Sequence, residues 1–373
     1  MLAFFLLFQP KRNRVSSFFL SFLLLIIHFY FHVERKRSNS IRHIISLMSN
    51  SSLVQNILII SEKLDFYISI IITIAGLISN LMIILILTNL KIFRRNQCAF
   101  YLIIECSANI GLLSIIFSSR ILAYILQIDP VHRLQIWCRL RSWATQVFAF
   151  ISLFTICSAT FDQYLSTNLN YSKRRLSTIY LAYYLILIIV SFAVLHNIPL
   201  LIFTEINSLS KCSVSNGILR YYFNYFYYPI VVCLLPVTIT STFSLLAYRN
   251  VRRIIRRQIS IVRRRLDRQL TAMILARVIC LIVLCLPYVI YSICMTAISI
   301  KVDNYLGLAI QKLVEVIILA LFYTNYSICF YIYALISSRF QRQIRYFLTK
   351  KIVYLCQCNR QISPENEQSG VIE

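Results

Sequence analysis

Chemistry is expected first from polar and charged groups in places that are costly for them. Glu105 stands four residues before Asn109 within the apolar stretch Cys98–Leu126, which Arg120 also interrupts, and Arg277 stands within another, Leu270–Ile300. Asn80 closes the string Gly76-Leu77-Ile78-Ser79-Asn80 inside a third. A carboxylate or guanidinium in apolar surroundings must pair, reach for a polar boundary, or serve a function. An asparagine there must hydrogen-bond across to a neighbour. If the stretch is a helix, the four-residue step puts Glu105 and Asn109 on one face. Arg277 is the candidate partner for Glu105, with snorkelling to the boundary as the other outcome. The chain holds no phosphate-binding loop, no metal-spaced His/Cys cluster and no nucleophile elbow. The expectation is therefore of a protein that is no enzyme and uses no metal or cofactor.

The elements that carry these groups follow from composition. The 373 residues are 59% hydrophobic, with five glycines and seven prolines, and the mean hydropathy is +0.72. Soluble proteins hold roughly 45–50% apolar residues, so a water-soluble domain is excluded. A net charge of +25 and a pI near 9.8 would suit nucleic acid. The lysines and arginines, however, fall in short segments between long apolar runs, as in the cytoplasmic loops of membrane proteins. Nucleic acid is set aside, and the lipid bilayer is the expected surroundings.

Seven runs are regular: Phe66–Leu90, Cys98–Leu126, Cys138–Tyr164, Leu176–Thr204, Tyr221–Tyr248, Leu270–Ile300 and Leu306–Ser338. The third is uncharged from Ser142 to Phe161. As a helix, Cys138 to Gln163 would span about 37 Å, slightly more than a bilayer's hydrocarbon core. Segments after the first, third and fifth runs and after the seventh hold Lys91, Arg94, Arg95, Lys173-Arg174-Arg175, the basic stretch Arg249–Arg268, and Arg339, Arg342 and Arg345. The opposite segments hold little beyond Arg133, Lys211, Arg220 and Lys301. That asymmetry places the N-terminus outside and the C-terminus in the cytosol. Residues 337–348 alternate Phe340, Ile344, Phe347 and Leu348 with Arg342 and Arg345, as an interfacial helix would. The fold class is thus an all-α membrane protein, a seven-transmembrane bundle over 66–338 with a short amphipathic eighth helix and a tail over 339–373.

The first 47 residues are read three ways: signal-like segment, extra hydrophobic segment around Val15–Val33, or gene-model extension before Met48. Residues 48–65 then form an outer tail, where Asn50-Ser51-Ser52 is a glycosylation sequon. Cys106, Cys157, Cys233, Cys280, Cys285, Cys294 and Cys329 fall inside apolar runs and behave as small hydrophobes. Cys356 and Cys358 in the tail are palmitoylation candidates.

A cysteine opening the third run and Asp162-Gln163-Tyr164 closing it resemble the third helix of rhodopsin-like G-protein-coupled receptors, whose triplet is Asp-Arg-Tyr. Gly76 and Asn80 resemble the family's first-helix Gly-Asn pair, and Pro236 and Pro287 its bend-forming prolines in helices five and six. There are departures. Gln163 replaces the arginine, Asn109 the sodium-binding acid, Cys285 the helix-six tryptophan, and Cys329-Phe330-Tyr331-Ile332-Tyr333 keeps only the Tyr333 of Asn-Pro-x-x-Tyr. The resemblance implies a Cys138–Cys212 disulfide; these are also the cysteines in predicted outer segments. It implies coupling to a heterotrimeric G protein through an outward swing of helix six about Pro287. Asp162, without its arginine, would bond loop groups such as Tyr171 or the Lys173 cluster. Glu105 and Arg277 would replace the missing arginine as the resting lock.

The resemblance also locates a ligand cavity among the outer halves of helices three, five, six and seven. Thr145 stands where an amine receptor has its carboxylate, with Gln146 next, so a monoamine ligand is disfavoured. Arg120, Glu315, Tyr288, Tyr291 and His196 complete the candidate lining, which suits an extracellular peptide. Each of these is weighed against plain packing, since tyrosine is common at membrane interfaces. A receptor for an extracellular ligand, of neuropeptide type, at the plasma membrane is the expectation. The alternatives are a seven-helix membrane protein that does not signal through G proteins, and a small-solute transporter or channel, although no self-similar halves are present. A retinal protein is excluded, because no lysine lies between Val314 and Ser338.

Overall fold

The computed structural model describes residues 51–89, 96–126, 133–206, 212–255, 261–297, 305–337, 340–347 and 349. Regular structure among them is nearly all helical. In chain order the elements are α1 (Ser51–Asn89), α2 (Gln97–Leu126), α3 (Gln135–Ser166), the short α4 (Tyr171–Leu176) and α5 (Ile179–Phe203). A two-stranded hairpin follows, β1 (Thr204–Ile206) and β2 (Cys212–Val214), then α6 (Gly217–Tyr222), a π-helix (Phe223–Leu234) and α7 (Leu235–Ile255). The chain continues as α8 (Ile261–Ala297), α9 (Tyr305–Ser327) and α10 (Cys329–Ile336). Residues 340–347 are helical again and are termed α11.

Among the described residues, seven helical segments are long and apolar enough to cross a bilayer, the fifth being α6, the π-helix and the start of α7 in succession. These match the seven expected runs. The third is the axis of the group: 72% of its most apolar window is buried, against 17% for α5. α3 packs on α2, α5, α7, α8 and β1. Its inward side is built of small and polar residues, among them Ala144, Ala149, Ser152, Thr155, Ala159 and Thr160, all buried. Small side chains let helices approach closely where no water supplies a hydrophobic drive.

Boundaries differ from the expectation wherever local backbone chemistry overrode composition. Helix α1 begins at Ser51 rather than Phe66, so most of the expected 48–65 tail is helical. Its Glu62, Lys63 and Asp65 are good or tolerable helix residues and do not interrupt the rod. The basic stretch Arg249–Arg268 is not a loop: α7 continues to Ile255 and α8 starts at Ile261. The fifth segment widens into a π-helix over Phe223–Leu234, which contains Pro229. Proline has no N–H to continue the ordinary ladder, and a wider turn accommodates the gap. The irregular turns thus precede Pro236, where a bend was expected, and Pro236 itself lies at the start of α7. Helix α5 carries Pro199 near its end, and α8 carries Pro287 as expected.

The seventh segment breaks at Ile328, which sits at φ −88° and ψ −7° between α9 and α10. Helix α1 fills the break. The Phe330 N–H donates to Ser79 Oγ at 3.1 Å, and Asn80 Nδ2 donates to the Tyr326 carbonyl at 2.9 Å. Gly76 allows that approach: a Cβ there would lie 2.6 Å from Leu113 Cδ1 and collide with Ser327. Gly111 likewise admits the ring of Phe148, 2.7 Å from where its Cβ would stand. Arg120 lies within α2, but its side chain, Asn50, Cys356, Cys358 and residues 1–47 lie outside the described residues.

Candidate functional site

Glu105 projects from α2 and Arg277 from α8, and the two meet. Arg277 Nε donates to Glu105 Oε1 at 3.1 Å, with the side chains 1% and 2% exposed. The pair inferred from charges in two separate apolar runs is present, and neither residue snorkels. Helix α9 joins it, because Arg277 Nη1 donates to Asn325 Oδ1 at 2.5 Å. From α10, the Cys329 thiol points to Glu105 Oε1 at 3.5 Å. Asn325, Cys329 and Tyr333 step by four, so one side of the seventh segment faces the ion pair. Tyr333 is buried, and its hydroxyl has no hydrogen-bond partner among the described residues. Asn325 was missed in the sequence; a polar amide eight residues before Tyr333 in an apolar run was the available signal.

A second buried polar chain runs beside the first. Ser152 on α3 donates to Asn109 Oδ1 at 2.6 Å, Asn109 Nδ2 donates to Asn80 Oδ1 at 3.1 Å, and Asn80 spans to Tyr326 as described. Asn80 also donates to the Gly76 carbonyl at 2.8 Å. Asn80 bonds across helices as expected, and Asn109 joins it, linking α1, α2, α3 and α9. Nothing in the sequence singled out Ser152, because a serine in a helix can always bond its own backbone.

At the end of α3 away from the hairpin, Asp162 accepts from Ser177 Oγ at 2.7 Å. Asp162 thus bonds a group of the neighbouring loop, as expected, here Ser177; in that loop Asn170 caps the short α4, whose Arg174 lies 5.6 Å above the Tyr171 ring. Gln163 Oε1 accepts from Thr271 Oγ1 of α8 at 3.2 Å. Tyr164 packs on Phe243 of α7 with centroids 5.5 Å apart. Pro236 contributes its carbonyl, which accepts from Thr240 at 2.6 Å and from the Cys157 thiol at 3.9 Å.

At the hairpin end, Cys138 and Cys212 form the expected disulfide, with Cα atoms 5.8 Å apart. The hairpin is also sewn to α3 by polar bonds. Gln135 Nε2 and Arg139 Nε both donate to the Thr204 carbonyl at 3.0 Å, and Gln135 Oε1 accepts from the Ile206 N–H at 3.1 Å. Arg139 pairs with Glu205 at 3.5 Å. Below the hairpin, Gln146 donates to Tyr228 Oη at 2.9 Å, Tyr228 meets Tyr288 edge-on, and Tyr288 packs on Phe322 at 4.6 Å. This joins α3, the π-helix, α8 and α9 in one aromatic floor.

Of the other expected cavity residues, Glu315 and Tyr291 stay near Tyr288, while Thr145 and His196 turn elsewhere. Thr145 Oγ1 bonds the Arg141 carbonyl of its own helix. Glu315 pairs with Lys312 at 3.4 Å, both part-exposed. Tyr291 lies on α8 three residues beyond Tyr288, half-buried. His196 belongs to a different cluster: it bonds Tyr222 Oη at 2.9 Å and stacks on Tyr227 at 5.2 Å, in the seam between α5 and the fifth segment. Stacking between helices, rather than lining a cavity, is what its ring does.

No family model matches the chain, and no curated protein does.

Proposed function

We propose that the chain is a divergent receptor of the rhodopsin-like G-protein-coupled class, responding to an extracellular ligand of peptide type. In this reading the seven long segments form a transmembrane bundle in the plasma membrane. The hairpin end is extracellular and the α7–α8 connection cytoplasmic. Helix α11 lies along the inner leaflet as the eighth helix: Phe340 is buried while Arg342 and Arg345 reach toward solvent.

The observation that carries the proposal is the double attachment of α3. One end is tied by the disulfide and hairpin, and the other holds α8 through Gln163 and Thr271. A ligand pressing between the hairpin and the Gln146–Tyr228–Tyr288 floor would act on α3 and α8 together. Movement of α8 about Pro287 would break the Gln163–Thr271 bond and open the cytoplasmic end to a G protein. Both partners of that bond are neutral, so its net contribution is about 1 kcal/mol. The larger hold on α8 is the buried Arg277–Glu105 pair, which takes the place of a third-helix arginine as the resting restraint.

The test is nucleotide exchange on a panel of heterotrimeric G proteins, with the full chain in lipid nanodiscs, basally and with a peptide library. Stimulated exchange on at least one G protein is expected. Exchange no faster than with empty nanodiscs, for every G protein and peptide, would remove the proposal. The neutral Gln163 favours that second outcome most specifically, a seven-helix membrane protein that does not signal through G proteins.

A further inference from the structure

Resting on the receptor reading, we propose that Arg141 is the anchor for a carboxylate group of the ligand. Ile136 and Leu140, 81% and 44% exposed, mark the outward face of α3 near the hairpin. At 100° per residue, Arg141 and Thr145 lie roughly 140° and 180° around the helix from Ile136, on the inward side with Cys138. Ser142, the next residue, has its hydroxyl 3.8 Å from Cys212 Sγ, so the hairpin passes beside this turn.

Among the described residues, the charge pattern at this end isolates Arg141. Arg139 is neutralised by Glu205 and Lys312 by Glu315. Arg133 and Arg220 are exposed to water. Arg141 is half-buried, makes no ion pair among the described residues, and its Nε is buried without a hydrogen-bond partner among them. On α3, Thr145 is engaged with its own helix and Gln146 with Tyr228. Among the described residues, the fold thus holds a partly desolvated guanidinium with no counter-charge, a place where an anionic group of a ligand would be stabilised.

A guanidinium presents a planar fork of donors that a carboxylate accepts in two parallel bonds, and partial burial strengthens them. A ligand ammonium would meet like charge at the same place. The recognised chemistry is thus a carboxylate, borne either by a peptide terminus or by a small organic acid. Its apolar remainder would rest on the aromatic floor of Tyr228, Tyr288 and Phe322.

The chain's two tryptophans, Trp137 and Trp143, flank Arg141, so intrinsic fluorescence reports on this turn. The experiment uses the full chain in nanodiscs with four probes: 3-phenylpropionate and its amide, and N-acetyl-Gly-Phe and its C-terminal amide. The expected result is a saturable fluorescence change with at least one acid binding ten times or more tightly than its amide. Which acid prevails identifies the source. Arg141→Gln should abolish the acid preference, Arg141→Lys should weaken it several-fold, and Arg220→Gln should leave it unchanged. Unaltered thermal melting certifies that Arg141→Gln is folded; if it is not, Arg141→Lys carries the comparison. Equal affinity for acid and amide, no saturable change with any probe, or a preference that survives the Arg141 substitutions would overturn the proposal. Nucleotide exchange separates the two readings. Acid preference through Arg141 without exchange on any G protein leaves the site standing and removes the receptor function, and exchange without acid preference does the reverse.

Discussion

Replacing Glu105 by Gln leaves Arg277 charged inside the bundle. Both side chains are almost wholly buried, so neither can recover hydration by a small rotation. Breaking a buried pair by removing one partner costs about 3–5 kcal/mol, because the remaining charge is uncompensated. Arg277 keeps Asn325, but the introduced glutamine would offer only a neutral carbonyl oxygen in place of the carboxylate. Arg277→Met should cost less, since a buried Glu105 can take up a proton and become neutral. The double variant Glu105→Gln/Arg277→Met removes both charges together. It should regain at least about 2 kcal/mol relative to the sum of the single losses, as charge pairs in one network are strongly non-additive. The assay is unfolding in nanodiscs followed by a thiol-reactive dye, for which buried thiols such as Cys106, Cys157 and Cys329 are natural reporters. At roughly 2 °C per kcal/mol, Glu105→Gln should lower the midpoint by roughly 6–10 °C. Single variants that melt with the wild type, or a double variant at the simple sum, would refute the reasoning.

Other substitutions probe other joints. Cys212→Ser should destabilise by about 2–4 kcal/mol, read as the same midpoint shift and as loss of the hairpin's protection from proteolysis. Gly76→Ala forces a methyl into Leu113 and Ser327, and should cost about 1–3 kcal/mol. Ser79→Ala deprives the Phe330 N–H of its acceptor at the break in the seventh segment, at about 1–3 kcal/mol; amide exchange at Phe330 should accelerate while exchange in α3 stays unchanged.

How much could be read in advance differs from residue to residue. Glu105 and Arg277 were legible as a pair because a charge in an apolar run has so few tolerable environments. Asn80 was legible as a cross-helix donor for the same reason. Ser177, Thr271, Ser152 and Tyr228 were not, because hydroxyls satisfy themselves on their own helix and carry no sign of a distant partner. The sequence left His196 between cavity lining and plain packing; its contacts with Tyr222 and Tyr227 depend on the direction its ring faces, which its position in the outer half of a helix does not give.

Composition and the spacing of charges alone determined that this protein has seven apolar rods separated by polar connections, because hydrophobic length and charge placement are properties of consecutive residues. They also determined which buried groups would need partners. Which partner each group met was decided only in three dimensions. Asp162 met Ser177, Arg277 bridged to Asn325 as well as Glu105, and helix α1 supplied the acceptor missing from the break at Ile328. Those outcomes depend on how the rods are rotated and how closely glycine lets them approach, and rotation and distance between segments are not written in the order of residues along any one of them.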